Sequence, residues 1–69
     1  MSFSVAIASV PDRETIVAEI WWADTMVAEL MPNANGMQLE IYPNRSGGPW
    51  TFELDGWLAI LAEARRSLG

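Results

Sequence analysis

The sequence predicts an α+β fold, a four-stranded antiparallel β-meander with one C-terminal α-helix packed on one face (ββββα). Three observations predict it. Successive short segments before residue 43 alternate apolar with other residues at the period of half-buried strands. The links between them are short and carry Pro, Asn, Asp or Gly, so neighbouring strands connect as hairpins. From Leu54 onward the apolar spacing changes to that of an amphipathic helix.

In residues 3–10, Phe3, Val5 and Ile7 alternate with Ser4, Ala6 and Ala8, which reads as strand one. Pro11 opens a polar stretch, Asp12-Arg13-Glu14, that suits a hairpin loop. Residues 15–22 are β-branched and aromatic enough for strand two. Pairing Val10 with Thr15 sets Ile7 opposite Ala18, Val5 opposite Ile20 and Phe3 opposite Trp22, so that one face is wholly apolar. A slip of one residue would turn each of these side chains to the wrong face. Ala23-Asp24-Thr25 reads as a three-residue turn, pairing Trp22 with Met26, Ile20 with Ala28 and Ala18 with Leu30 in strand three. Pro32-Asn33-Ala34-Asn35-Gly36 is the next turn, its Asn-Gly tolerating positive φ. Residues 37–42 form strand four, with Met37, Leu39 and Ile41 on the same apolar face.

Residues 43–49 make the longest loop, and Trp50-Thr51-Phe52 leads out of it. The helix stripe is Leu54, Trp57, Leu58, Leu61, Ala62 and Leu68, which should cover the sheet. Glu53 and Asp55 stand at its start, Arg65 and Arg66 near its end and Gly69 just beyond, as the helix dipole and capping prefer. Gly56 in the first turn is expected to mark a close backbone approach to the sheet. There is no internal repeat.

With 69 residues the chain is one domain, residues 1–69, without room for a second core. A fold this small buries only about 60% of its unfolded surface, so small domains lean on disulfides, metals or a second subunit. Cysteine and histidine are absent, which removes disulfides, thiolate chemistry and ordinary zinc sites, and leaves self-association as the remaining aid. Nine acidic residues against four arginines give a net charge of −5, a balance that repels phosphate backbones, so no nucleic-acid partner is expected. No apolar run reaches the ~20 residues of a membrane span, and the apolar N-terminus lacks a basic flank, so a cytoplasmic address and no membrane partner are expected.

The most informative feature is the face of the sheet turned away from the helix. In the register above it carries Ser4, Ala6, Ala8, Val17, Glu19, Trp21, Val27, Glu29, Met31, Gln38, Glu40 and Tyr42. A sheet face open to water usually alternates cleanly to polar residues, so its apolar and aromatic members mark a contact surface. The candidate interface is Val17, Glu19, Trp21, Val27, Glu29, Met31, Glu40 and Tyr42. Identical chains are the favoured occupants, because symmetric dimers are the commonest oligomers.

Other constellations are weaker. Glu19, Glu29 and Glu40 share that face, but the loop spacing of a calcium site is missing and they read as solvated strand charges. Glu53, Asp55 and Glu63 supply carboxylates for a glycosidase-like pair, yet their places suit the helix start and its polar side. Four tryptophans suggest core packing, with Trp22 and Trp57 on the faces that meet and Trp21 and Trp50 more accessible. Arg45-Ser46-Gly47-Gly48 lacks the lysine and strand-to-helix setting of a phosphate loop. Asn44-Arg45-Ser46 matches a glycosylation sequon that matters only on a secretory route. No catalytic residue, metal site or cofactor is expected.

The stretch Leu39-Glu40-Ile41-Tyr42-Pro43, the glycine-rich loop, Pro49-Trp50-Thr51-Phe52 and the helix spaced Leu54, Asp55, Leu58, Leu61, Ala64 resemble small bacterial proteins built as a β-meander followed by a helix. The resemblance covers roughly residues 15–68, rests on packing and turn positions, and implies bacterial origin without implying an activity. The expected function is a non-enzymatic protein-interaction module, homodimeric through the sheet. The alternatives are an acidic inhibitor of the antitoxin, immunity or anti-defence type that occupies a basic site on a target, and a carboxylate- or metal-dependent enzyme.

Overall fold

A computed structural model describes residues 2–10 and 15–69. The alternating segments become β1 (Phe3–Val10), β2 (Thr15–Trp22), β3 (Thr25–Asn33) and β4 (Gly36–Ile41), and the helical stripe becomes α1 (Leu54–Ser67). The strands form one open antiparallel sheet in the order β1-β2-β3-β4. The hairpin loop expected at residues 11–14 lies outside the described residues.

Between β1 and β2 the expected register holds, with Val10 opposite Thr15, Ile7 opposite Ala18, Val5 opposite Ile20 and Phe3 opposite Trp22. The β2–β3 connection differs from the sequence reading. Ala18 pairs with Leu30 and Ile20 with Ala28 as expected, but Trp21 pairs with Met26 and Trp22 with Thr25. The turn is therefore two residues long, Ala23-Asp24, and the residue gained back from it is Val27, inserted as a β-bulge opposite the Ile20/Trp21 step. Ala23 takes a positive φ of 55° to close so short a turn.

The β2–β3 pairing stops at Ala18 and Leu30, two positions short of Ile16, where Pro32 would face β2 without an N–H to offer. The next hairpin closes on Asn33 and Gly36, with the Asn35 N–H donating to the Asn33 side-chain oxygen (2.9 Å). Gly36 sits at φ 131°, a conformation open to glycine and to few other residues. Tyr42 prolongs β4 by donating its N–H to the Val27 carbonyl (2.8 Å).

The helix seats across β1 and β2. Its buried residues are Ile60 and Ala64, with Trp57, Leu61 and Leu68 half-buried beside them, a single face at the 3.6-residue period. Leu54, Leu58 and Ala62, assigned to the stripe from sequence, are exposed instead, because Leu58 lies about 100° round the helix from Trp57. Ala18, Ala28 and Ala64 are fully buried, small side chains that let helix and sheet approach closely around Ile20, Val27 and Leu30.

One end of this core is aromatic. Phe3 meets Trp22 and Phe52 edge-on at centroid distances of 4.7 and 4.8 Å, and Phe52 stacks on both Trp50 (5.4 Å) and Trp57 (5.7 Å). Trp50 is thereby drawn into the packing rather than left accessible, and its indole N–H donates to the Tyr42 carbonyl at 2.9 Å. Gly56 does not meet the sheet backbone. A Cβ placed there would find only the Phe3 ring at 3.8 Å, an ordinary contact distance.

Candidate functional site

Alternation along the strands puts Val17, Glu19, Trp21, Glu29, Met31, Glu40 and Tyr42 on the side of the sheet away from α1, as the sequence predicts. Val27 is the exception: the bulge turns it into the core beneath the helix, where it is 0% exposed, and Met26 takes its place opposite Trp21 on the outer side. Val17 is also buried, at 2% exposure, but stands apart from the core cluster and is covered on the outer side itself.

Across three strands the register sets Glu19 opposite Glu29 and Glu29 opposite Glu40. Directly opposed like charges have Cβ atoms about 5 Å apart and repel. No arginine among the described residues pairs with any of the three; the Trp21 indole N–H donates to Glu19 (3.3 Å) and the Tyr42 hydroxyl donates to Glu40 (3.2 Å). Tyr42 registers this field. Burial, then the charge of Glu29, then its hydrogen bond to Glu40 push its hydroxyl pKa up from 10.0 to about 12.

Asn44 organises the loop after β4. Its side-chain oxygen accepts from the Ser46 N–H (3.1 Å) and hydroxyl (3.0 Å), and its amide donates to the Pro49 carbonyl (3.3 Å). The loop's hydrogen bonds are thus made within it, and Trp50 beyond it packs against the core.

A second surface was not anticipated from sequence. Among the described residues the large exposed apolar side chains on strands are Ile7, Ile16, Met37, Leu39 and Ile41, and the register places them on the helix side of the sheet. The helix adds Leu54 and Leu58, 66% and 53% exposed. The reason is geometric: a helix is about 10 Å across, whereas four strands at about 4.8 Å spacing span roughly 14 Å between their outer axes. Seated on β1 and β2, α1 does not reach β4, every residue of which is exposed.

Among the described residues no group of three or more His, Cys, Asp or Glu side chains is arranged to hold a metal ion, and no helix is long and apolar enough to cross a membrane. No family model, curated protein or solved structure matches this chain. The two surfaces differ in character, one made of uncovered apolar side chains and one of concentrated negative charge.

Proposed function

We propose that the protein is a non-enzymatic protein-interaction module that homodimerises through its sheet. The observation that carries the reading is the uncovered helix-side surface of β4, where Met37, Leu39 and Ile41 are 39%, 40% and 56% exposed. The total area points the same way. A folded monomer of 7.7 kDa is expected to expose about 4,300 Å² by surface-to-mass scaling, against 4,900 Å² for this chain. The excess, on the order of 600 Å², approaches the roughly 800 Å² that each partner commonly contributes to a stable interface.

Two substitutions on opposite faces test this. Leu39→Glu puts a charge in the apolar surface and is expected to halve the mass seen in sedimentation, while Trp21→Glu on the outer face leaves the dimer intact. Dissociation by Trp21→Glu alone would move the interface to the outer face. A wild-type chain that is monomeric at all concentrations would end the dimer reading.

A second reading is supported by the row Glu19, Glu29 and Glu40, which repel one another and pair with no arginine among the described residues. A cationic surface relieves that repulsion, so the outer face suits the basic site of a target protein, as an acidic inhibitor would use it. Retention of a basic protein that is released by raised salt supports it; retention indifferent to salt counts against it.

A further inference from the structure

We propose that two copies join through β4 edge to edge, antiparallel, with Leu39 facing Leu39 of the second copy across the two-fold axis, so that the two sheets become one of eight strands. This rests on the dimer reading above and specifies its junction.

The backbone supplies the first reason. Tyr42 turns its N–H inward to the Val27 carbonyl, and Asn33 and Gly36 close the hairpin, so alternation turns the N–H and C=O groups of Met37, Leu39 and Ile41 off the edge of the sheet. The three residues with uncovered apolar side chains are therefore the three with unmatched backbone groups. Within β4 there is no Lys or Pro of the kind that blunts a sheet edge. The opposite edge, β1, is overhung by α1, and its Phe3 and Val5 already pack against the core.

Register supplies the second reason. With Leu39 on the axis, Met37 faces the second copy's Ile41, and three ladder pairs form roughly six backbone hydrogen bonds. All the side chains of these pairs lie on the helix side, apolar against apolar. On the other side Glu40 faces Gln38 of the second copy and not another carboxylate. The Gln38 side-chain oxygen already accepts from Asn33 (3.2 Å), which leaves its NH₂ to donate to that Glu40. Tyr42 faces Gly36, an aromatic over a glycine. The neighbouring registers are worse. Moving two residues one way sets Glu40 against Glu40 and brings Pro43, with no N–H, opposite Met37. Moving two the other way faces Ile41 with Asn35.

The chain has no cysteine, so a single introduced thiol reports the register without background. In a hydrogen-bonded antiparallel pair the Cα atoms stand about 5.5 Å apart, within disulfide reach. Full-length Leu39→Cys is expected to oxidise to a covalent dimer at micromolar concentration, with Gln38→Cys at least ten-fold slower and mixed Gln38→Cys and Glu40→Cys chains crosslinking each other. A dimeric mass with slow Leu39→Cys crosslinking overturns this junction and leaves the dimer reading standing. So does faster crosslinking by Ile7→Cys, which would put the junction on β1. A chain that sediments as a monomer overturns both. Leu39→Pro, which removes an outward N–H that β3 does not use and trims the apolar side chain, is expected to keep the far-ultraviolet spectrum and lose the dimer; a retained dimer counts against edge pairing.

Discussion

The β-bulge decides which way Val27 points, and a nearly isosteric substitution reads that direction. Val27→Thr keeps the shape and β-branching of the side chain and adds a hydroxyl. In the structure Val27 is 0% exposed among Ile20, Ala28, Leu30 and Ile60, so the hydroxyl is desolvated with no side-chain partner in the cluster. That costs about 1–3 kcal/mol. A chain of 69 residues has only roughly 3–10 kcal/mol of stability in total, and each kcal/mol moves Tm by about 4–8 °C in a domain of this size. Val27→Thr is expected to lower Tm by about 5–20 °C at fixed protein concentration, with the same loss in urea unfolding at unchanged m value. Met26→Gln, on the outer face, is expected to change stability by less than about 1 kcal/mol. A neutral Val27→Thr beside a strongly destabilised Met26→Gln would refute the bulge and restore the three-residue turn.

Tyr42 is the only tyrosine, so an absorbance titration reports it alone, and its midpoint should fall near pH 12 rather than 10.0. Because the folded pKa is raised, this contribution to stability is complete below pH 10.0 and is lost as pH climbs through about 12, and Glu40→Gln should draw the midpoint back down. An unshifted midpoint would contradict the hydrogen bond to Glu40. Glu29→Gln removes the central charge of the outer row and is expected to stabilise by about 0.2–1 kcal/mol in urea unfolding at low salt, less at high salt; a loss of stability would show that the row does not repel. Gly56→Ala should stabilise by about 0.5–1 kcal/mol, because the added methyl meets only the Phe3 ring at 3.8 Å. Destabilisation there would mean that the helix start sits closer to the sheet than the structure has it.

Much of the fold is legible in the residues because each strand carries its own alternation and the β1–β2 register follows from matching apolar positions. The bulge is harder to read. Val27 and Ala28 are adjacent and both apolar, so one alternating pattern can be drawn through either, and only the length of the Ala23-Asp24 turn decides between them. The helix seat went to Ile60 and Ala64 rather than Leu54 and Leu58 because several leucine spacings fit one turn, and the choice depends on where Ala18 and Ala28 leave room. The outer face was legible except at Val27. The uncovered helix-side surface was not, since the same apolar alternation describes a strand beneath a helix and one beside it. The width of four strands against one helix is the signal that reveals it.

Sedimentation equilibrium of the unmodified chain over a range of concentrations measures the association itself. A reversible approach to twice 7.7 kDa is expected as concentration rises, abolished by Leu39→Glu. A constant mass of 7.7 kDa at every concentration would contradict it.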